Sequence, residues 1–320
     1  MKTCLVLGAT GFIGGQIARE AAARGWHVRA LRRNPNFAGA IGDVNVEWLS
    51  GNLDDRATLI EAMRGCGVVF HCAGAYPHGT RQIEQAVRSA LSQTFNVIEA
   101  ARASQPDRLV YTSSFTTIGL PDEPDRLADE RDQYQPGTAG DAYYEAKWAM
   151  ETEMLKSSLP IVVLNPAAVF GPGDVHLAVS EIIIMAARGR VPVYFDATFG
   201  AIDVRDVAAA HLAAVDHGRV GERYILSAHN MGLKDGLDLI ARSSGRKPPS
   251  IHLGRRAVGA VIAVGQVLPG GMIGHLRTMR YWQPLNNAKA RLELGLLTRP
   301  IETTLNDALA WFKANGYLDG

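Results

Sequence analysis

The chain has 320 residues, 33 Lys or Arg against 32 Asp or Glu, a formal net charge of +1 and 47% apolar residues. That balance describes a globular protein with a real core, in one large domain or two smaller ones, and excludes a disordered chain. Without a basic excess, nucleic acid is not an expected partner.

Taken in order, short β-branched runs alternate with helical patterns over the first two thirds. Strands are predicted at Thr3–Leu7, His27–Leu31, Val44–Leu49, Val68–Cys72, Arg108–Ser113 and Ile161–Leu164. Helices are predicted at Phe12–Arg24, Ala57–Arg64, Ile83–Ala103 and Asp141–Ser157. Unalternated apolar strands separated by helices indicate an α/β fold, a doubly wound parallel sheet covered on both faces. From Pro166 onward the regularity weakens, although Arg223–Ser227 reads as a strand and Ile301–Phe312 as an amphipathic helix. The expected organisation is a dinucleotide-binding domain over 1–165, rejoined by segments near 199–228. A smaller, discontinuous C-terminal substrate lobe over 166–320 completes it.

Three cysteines, Cys4, Cys66 and Cys72, are odd in number and lack paired spacing, so neither a disulfide framework nor a metal site is expected. A cytoplasmic location is the simplest reading. The apolar start at Thr3–Leu7 turns Gly-rich too early for a signal peptide. The uncharged stretch 257–274 contains Pro269-Gly270-Gly271, which argues against an integral membrane helix. It suits a greasy wall near a substrate pocket or a peripheral contact with a membrane surface.

The first strand runs into Gly8-Ala9-Thr10-Gly11-Phe12-Ile13-Gly14. Gly8 permits a tight turn, Gly11 admits a pyrophosphate to the backbone, and Gly14 lets helix and strand pack closely. The helix N-terminus offers unpaired N–H groups to phosphate, so this loop, including Thr10, Phe12 and Ile13, is the candidate dinucleotide site. Arg32 and Arg33 end the second strand, where an NAD enzyme usually places a carboxylate. Two guanidinium groups there favour the 2′-phosphate of NADP over NAD, the alternative being solvated arginines. Asn52 and Leu53 are placed to meet the adenine edge; otherwise Gly51–Asp54 is a turn with Asp54 capping the next helix. Cys72, Ala73 and Gly74 leave room for a cofactor, and His71 beside them reads as structural.

The catalytic signal is Tyr143-Tyr144-Glu145-Ala146-Lys147. Spacing i,i+4 puts Tyr143 and Lys147 on one helix face, and an ammonium beside a phenol lowers its ordinary pKa of about 10. Ser114, after the fifth strand, sits where open parallel sheets bind ligands. Capping of the local turn is the simpler role for a Ser-Ser pair.

These motifs, with Asn165-Pro166 through Gly171-Pro172-Gly173-Asp174, the run Ile202–Ala208 and the closing stretch 287–318, make the chain resemble an extended short-chain dehydrogenase/reductase. Within that family it is most similar to dihydroflavonol 4-reductase-like proteins and hopanoid-associated sugar epimerases, by the segments Tyr111–Pro121 and Gly218–Leu226. The resemblance implies a Rossmann fold, a nicotinamide cofactor also held by Tyr143, Lys147, Asn165 and Pro166, and a Ser114–Tyr143–Lys147 triad. It implies a homodimer as well, through paired helices. Four departures stand out. Asn52 replaces a common Asp, Ala90–Thr94 replaces an Asn-x-x-Gly-Thr pattern, Asn165 replaces an Arg common in the family although its nearer members share the Asn, and Phe199 stands where sugar-nucleotide epimerases carry a diphosphate-clamping Arg.

Losing a clamp cation is expensive for a diphosphate ligand. An NADP-dependent carbonyl–alcohol oxidoreductase acting on a largely apolar small molecule is therefore the leading expectation. Tyr76, His78 and Phe199 are its candidate substrate contacts. A nucleotide-sugar epimerase or dehydratase is the alternative, and a non-catalytic NADP-binding sensor the third reading.

Overall fold

The computed structural model describes residues 2–74, 82–123, 125–177, 180–254, 256–259, 278 and 281–318. Tyr76 and His78 lie outside them, as does all but the start of the uncharged stretch 257–274.

The first half follows the predicted alternation. Strands β1 (Thr3–Leu7), β2 (His27–Arg32), β3 (Glu47–Ser50), β4 (Val68–His71), β5 (Arg108–Thr112) and β6 (Ile161–Pro166) alternate with helices. These are α1 (Phe12–Ala23), α2 (Arg56–Met63), α3 (Ile83–Ser104) and α4 (Ala142–Lys156). After β7 (Ala168–Phe170) come α5 (Glu181–Ala187), β8 (Val193–Tyr194), β9 (Thr198–Asp203), α6 (Val204–His217) and β10 (Arg223–Leu226). The chain finishes with β11 (His229–Gly232), α7 (Leu233–Ser243), β12 (Ile251–His252), α8 (Ala288–Leu294) and α9 (Ile301–Ala314).

Seven strands form one parallel sheet in the order β10-β6-β5-β4-β1-β2-β3. Side chains alternate across it with period two. Cys4 and Val6 of β1 join Phe70 and Val110 under α1 and α6, whereas Leu5 and Leu7 join Val69 and Leu109 under α2, α3 and α4. Both faces are therefore dry, which is why these strands read as continuous apolar runs. The strand order reverses between β1 and β4, and the crevice at their C-terminal ends is where such sheets bind ligands.

A third apolar cluster, with Ile183, Phe199, Leu237, Leu305 and Phe312, packs α5, α7 and α9 around the small sheet β11-β9-β7. Between its pieces, α6 lies against the α1 face of the large sheet and β10 extends that sheet beside β6.

Two local readings are corrected. The third strand begins at Glu47, not Val44, because Val44 N–H closes a turn onto Ile41 O (3.0 Å) before any pairing with β2. The cap of α2 is Asp55, not Asp54: its carboxylate accepts from Thr58 N (3.2 Å) and Thr58 Oγ1 (2.5 Å).

Candidate active site

The glycine loop is built as its spacing requires. Gly8 sits at φ +92°, a left-handed conformation, and a Cβ there would come within 2.8 Å of Ala73 N at the end of β4. A Cβ on Gly14 would strike the Gly8 carbonyl, so the first turn of α1 can lie against the strand only if that residue has no side chain. Gly11 is the N-cap of α1 and no side chain caps it, which leaves N–H groups of the first turn for a ligand. This cradle fits a dinucleotide pyrophosphate.

Beside it, the Arg32 guanidinium lies over the Trp48 ring, 4.6 Å from the centroid, and its buried Nε has no hydrogen-bond partner among the described residues. Arg33 is exposed. Asn52 forms a local turn by accepting from Asp54 N (2.7 Å). Leu53 packs partly against the α2–α3 core, and its carbonyl accepts from Asn96 Nδ2 (2.9 Å) while Gln93 Nε2 reaches Asp54 (3.0 Å). Gln93 and Asn96 of α3 thus tie down this loop, although the helix lacks the Asn-x-x-Gly-Thr pattern. Cys72 is half-buried; its thiol is pushed up to about 12, by burial above all. It is a neutral wall, not a nucleophile.

The triad candidates converge at the end of β5. Asp141 caps α4 by accepting from Tyr143 N (2.9 Å) and Tyr144 N (3.4 Å), which fixes the turn carrying Tyr143. Lys147, one turn further on, is buried, with its Nζ 5.9 Å from the Tyr143 ring centroid. The Nζ donates to the carbonyl of Thr112 (3.3 Å), two residues before Ser114. Burial lowers Lys147 to about 8, partly offset by its neighbours Cys72 and Glu151. Ser114 is buried at the start of a short 3-10 turn (Phe115–Thr117), and its Oγ accepts from Thr116 N (3.2 Å). The capping role is therefore present, and the hydroxyl hydrogen is still available to donate.

His71 is fully buried against the Tyr111 ring, with neither ring nitrogen hydrogen-bonded to any described residue. Burial, then the neighbouring Lys147 charge, lowers it to about 3, so it is neutral at physiological pH.

Two proposed contacts have a different setting from the one their sequence suggests. Asn165 is fully buried and its Nδ2 lies near Ser114 O (3.2 Å), Thr117 Oγ1 (2.9 Å) and Glu151 Oε2 (2.7 Å), so its side chain serves the protein interior. Phe199 is only 9% exposed, edge-on to Phe170 and Trp282 in the apolar cluster around the small sheet. It provides no cation there, and most of its surface is spent on packing.

Sequence reasoning passed over Glu151, Thr117 and Arg223, which surround Asn165 beneath Ser114. Only Glu151 left a local sign, standing four residues after Lys147 on the same helix face.

The model of the NAD dependent epimerase/dehydratase family matches residues 4–227. The chain belongs to that family, in its extended short-chain dehydrogenase/reductase branch, and is an NAD(P)-dependent oxidoreductase. It is 31% identical to a putative dihydroflavonol 4-reductase of Synechocystis, over 99% of this chain and 97% of that one. It is 27% identical to sterol demethylase protein B of Methylococcus capsulatus, over 99% of this chain and 100% of the relative. Among solved structures it is similar to a nucleoside-diphosphate-sugar epimerase of Pseudomonas aeruginosa, with a TM-score of 0.86 and 26% identity, covering 99% of both chains.

Proposed function

We propose that this oxidoreductase is NADP-dependent and interconverts a carbonyl and an alcohol on a largely apolar small molecule, with Ser114, Tyr143 and Lys147 as its catalytic residues. The observation that carries the reading is Lys147, a buried ammonium held by the Thr112 carbonyl on the helix face it shares with Tyr143.

The nicotinamide, when bound, supplies or takes the hydride at the substrate carbon. In the reductive direction Tyr143 gives its hydroxyl proton to the substrate oxygen, and the Lys147 charge stabilises the phenolate left behind. Ser114 donates a hydrogen bond to the same oxygen as negative charge develops on it. The 8–14 loop, including Thr10, Phe12 and Ile13, would hold the pyrophosphate. Cys72, Ala73, Gly74 and the backbone at Asn165 and Pro166 would border the rest of the cofactor, and Asn52 and Leu53 would meet adenine. Arg32 and Arg33 would take the 2′-phosphate. In support, Arg32 is held by Trp48 with an Nε that no described residue engages, and a planar cation is the group that pairs with phosphate.

An apolar substrate is favoured by Phe199 in place of a clamp cation and by the likeness to proteins named for dihydroflavonol reduction and sterol demethylation. The 26% identity to a sugar-nucleotide epimerase supports the second reading, in which the hydride returns to the same molecule. A homodimer is supported by Phe95, an apolar side chain exposed on α3. Among the described residues no helix is long and apolar enough to cross a membrane; a cytoplasmic location fits the three free thiols.

The test is a panel of apolar ketones and aldehydes with NADPH, run beside UDP- and dTDP-sugars without added cofactor, for wild type and Tyr143→Phe. NADPH-dependent carbonyl reduction lost in the variant is expected. Sugar-nucleotide turnover without added cofactor would establish the epimerase reading instead, and turnover unchanged in Tyr143→Phe would remove that residue from its role.

A further inference from the structure

Beneath the proposed triad lies a buried polar cluster that the reaction itself does not use. Glu151, Arg223, Asn165 and Thr117 are each less than 9% exposed. Arg223 Nε lies 2.8 Å from Glu151 Oε1. Thr117 Oγ1 lies 2.8 Å from Glu151 Oε2 and 2.9 Å from Ser114 O. Asn165 Nδ2 reaches Glu151 Oε2, Thr117 Oγ1 and Ser114 O, while Arg223 Nη2 donates to Thr117 O (2.8 Å).

A buried ion pair is a poor device for stability alone, since apolar residues of the same volume hold a core at lower cost. What this cluster does that apolar residues cannot is grip main-chain carbonyls. Arg223 Nη1 reaches Glu130 O (3.1 Å) and Asp132 O (3.5 Å), and the other carbonyls gripped, Ser114 O and Thr117 O, are the two ends of the turn that Ser114 opens. The carboxylate at its centre belongs to α4, one turn after Lys147 and two after Tyr143.

We infer that Glu151 is a positioning residue. Asn165, whose amide has two protons, links it to Ser114 O, and the single Thr117 hydroxyl proton serves one of these two acceptors. Through its own helix Glu151 holds Tyr143 and Lys147, so a single buried carboxylate sets the placement of the serine hydroxyl against the phenol. Arg223 neutralises that carboxylate and ties the far end of the turn to β10. With Arg223 supplying the cation from the neighbouring strand, a second one beside it would be repelled, and a neutral amide bridges the acceptors instead.

The inference rests on the triad reading, and the experiment separates the two. Thr117→Val keeps the shape and removes the hydroxyl, and Thr117→Ser restores it. Glu151→Gln combined with Arg223→Met removes the pair without leaving either charge alone. For each, kcat is measured on the apolar carbonyl that wild type reduces fastest with NADPH, NADPH affinity by its fluorescence, and folding by thermal melting. Thr117→Val and the double variant are expected to lower kcat about tenfold or more, because small misplacements of reacting groups are costly. NADPH affinity is expected to hold and Thr117→Ser to recover most of the loss. Unchanged kcat in Thr117→Val, a loss that Thr117→Ser does not recover, or NADPH affinity falling in step with kcat would each overturn the inference. If the double variant does not fold, the two Thr117 variants decide. With Tyr143→Phe inactive, normal kcat in Thr117→Val overturns the positioning role alone; with Tyr143→Phe fully active, or no carbonyl reduced by wild type, the triad reading falls and takes this inference with it.

Discussion

Lys147 Nζ donates to the backbone carbonyl of Thr112 at 3.3 Å, joining the helix that carries Tyr143 to the strand that leads into Ser114. The bond uses a main-chain acceptor, so it survives any change of side chain at position 112. It also places an ammonium where burial has lowered its ordinary pKa of 10.5 to about 8.

That depressed value has a sign that can be measured. Below pH 8 Lys147 is charged in both folded and unfolded chains, and keeping the charge buried costs on the order of 3 kcal/mol. The penalty is relieved as pH rises from about 8 towards 10.5, where the folded chain has released the proton and the unfolded chain has not. Lys147→Met is therefore expected to raise stability at pH 7 by about 1–3 kcal/mol, after loss of the Thr112 bond. It should also abolish turnover. Thermal melts and kinetics of the same preparation check both, and a lower melting temperature would contradict the burial cost. In wild type, turnover is expected to decline above pH 8 as Lys147 loses its charge.

In the proposed reading Arg32 and Arg33 set the cofactor preference. Arg32→Ala and Arg33→Ala are each expected to weaken NADPH binding about tenfold or more while leaving NADH nearly unchanged, since only NADPH carries the 2′-phosphate. Fluorescence titration with both cofactors distinguishes this from two solvated arginines, for which all affinities stay equal.

Gly14 is required for space, not for backbone freedom. Its added Cβ would meet the Gly8 carbonyl, so Gly14→Ala is expected to cost about 1–3 kcal/mol and to impair NADPH binding as the loop shifts. Gly254→Ala, where nothing among the described residues lies within 4 Å, is the control and should alter neither.

Two buried histidines predict sensitivity to acid. His71 is lowered to about 3 and His211 to about 4, in both cases mainly by burial. Each is neutral when folded but takes a proton near its ordinary 6.5 once unfolded, so stability is present above that pH and lost as pH falls towards 4. His71→Leu, which removes an imidazole with no hydrogen bond to any described residue, should flatten the fall in melting temperature between pH 6 and 4. A slope equal to that of wild type would show that His71 does not titrate in this range.

Much of the dinucleotide domain was legible because its signals are short-range. Gly8, Gly11 and Gly14 fall within one strand-to-helix turn, and Tyr143 and Lys147 within one helical turn, so spacing alone carries their geometry. The third strand was misplaced because Val44–Val46 are apolar enough for a strand, while pairing with β2 begins only at Glu47. The Asp54–Asp55 choice failed for a similar reason: adjacent carboxylates have equal capping propensity, and only the path of the chain selects one. Asn165 shows the deeper difficulty. Its motif suggests a group facing the cofactor, but its amide direction is set by Ser114, Thr117 and Glu151, 51, 48 and 14 residues away.

What the amino-acid sequence determined by itself was the parallel sheet, the glycine turn, the Tyr143–Lys147 pairing and a neutral chain that hides a local Arg32–Arg33 pair. Those follow from periodicity and neighbours within a few residues. Only the tertiary structure decided that Phe199 is spent in the apolar cluster around the small sheet, that Arg32 is braced on Trp48, and that Arg223 meets Glu151 across β10 and α4. Such contacts join segments distant along the chain, and their partners are chosen by how the layers close over one another, which no local pattern encodes.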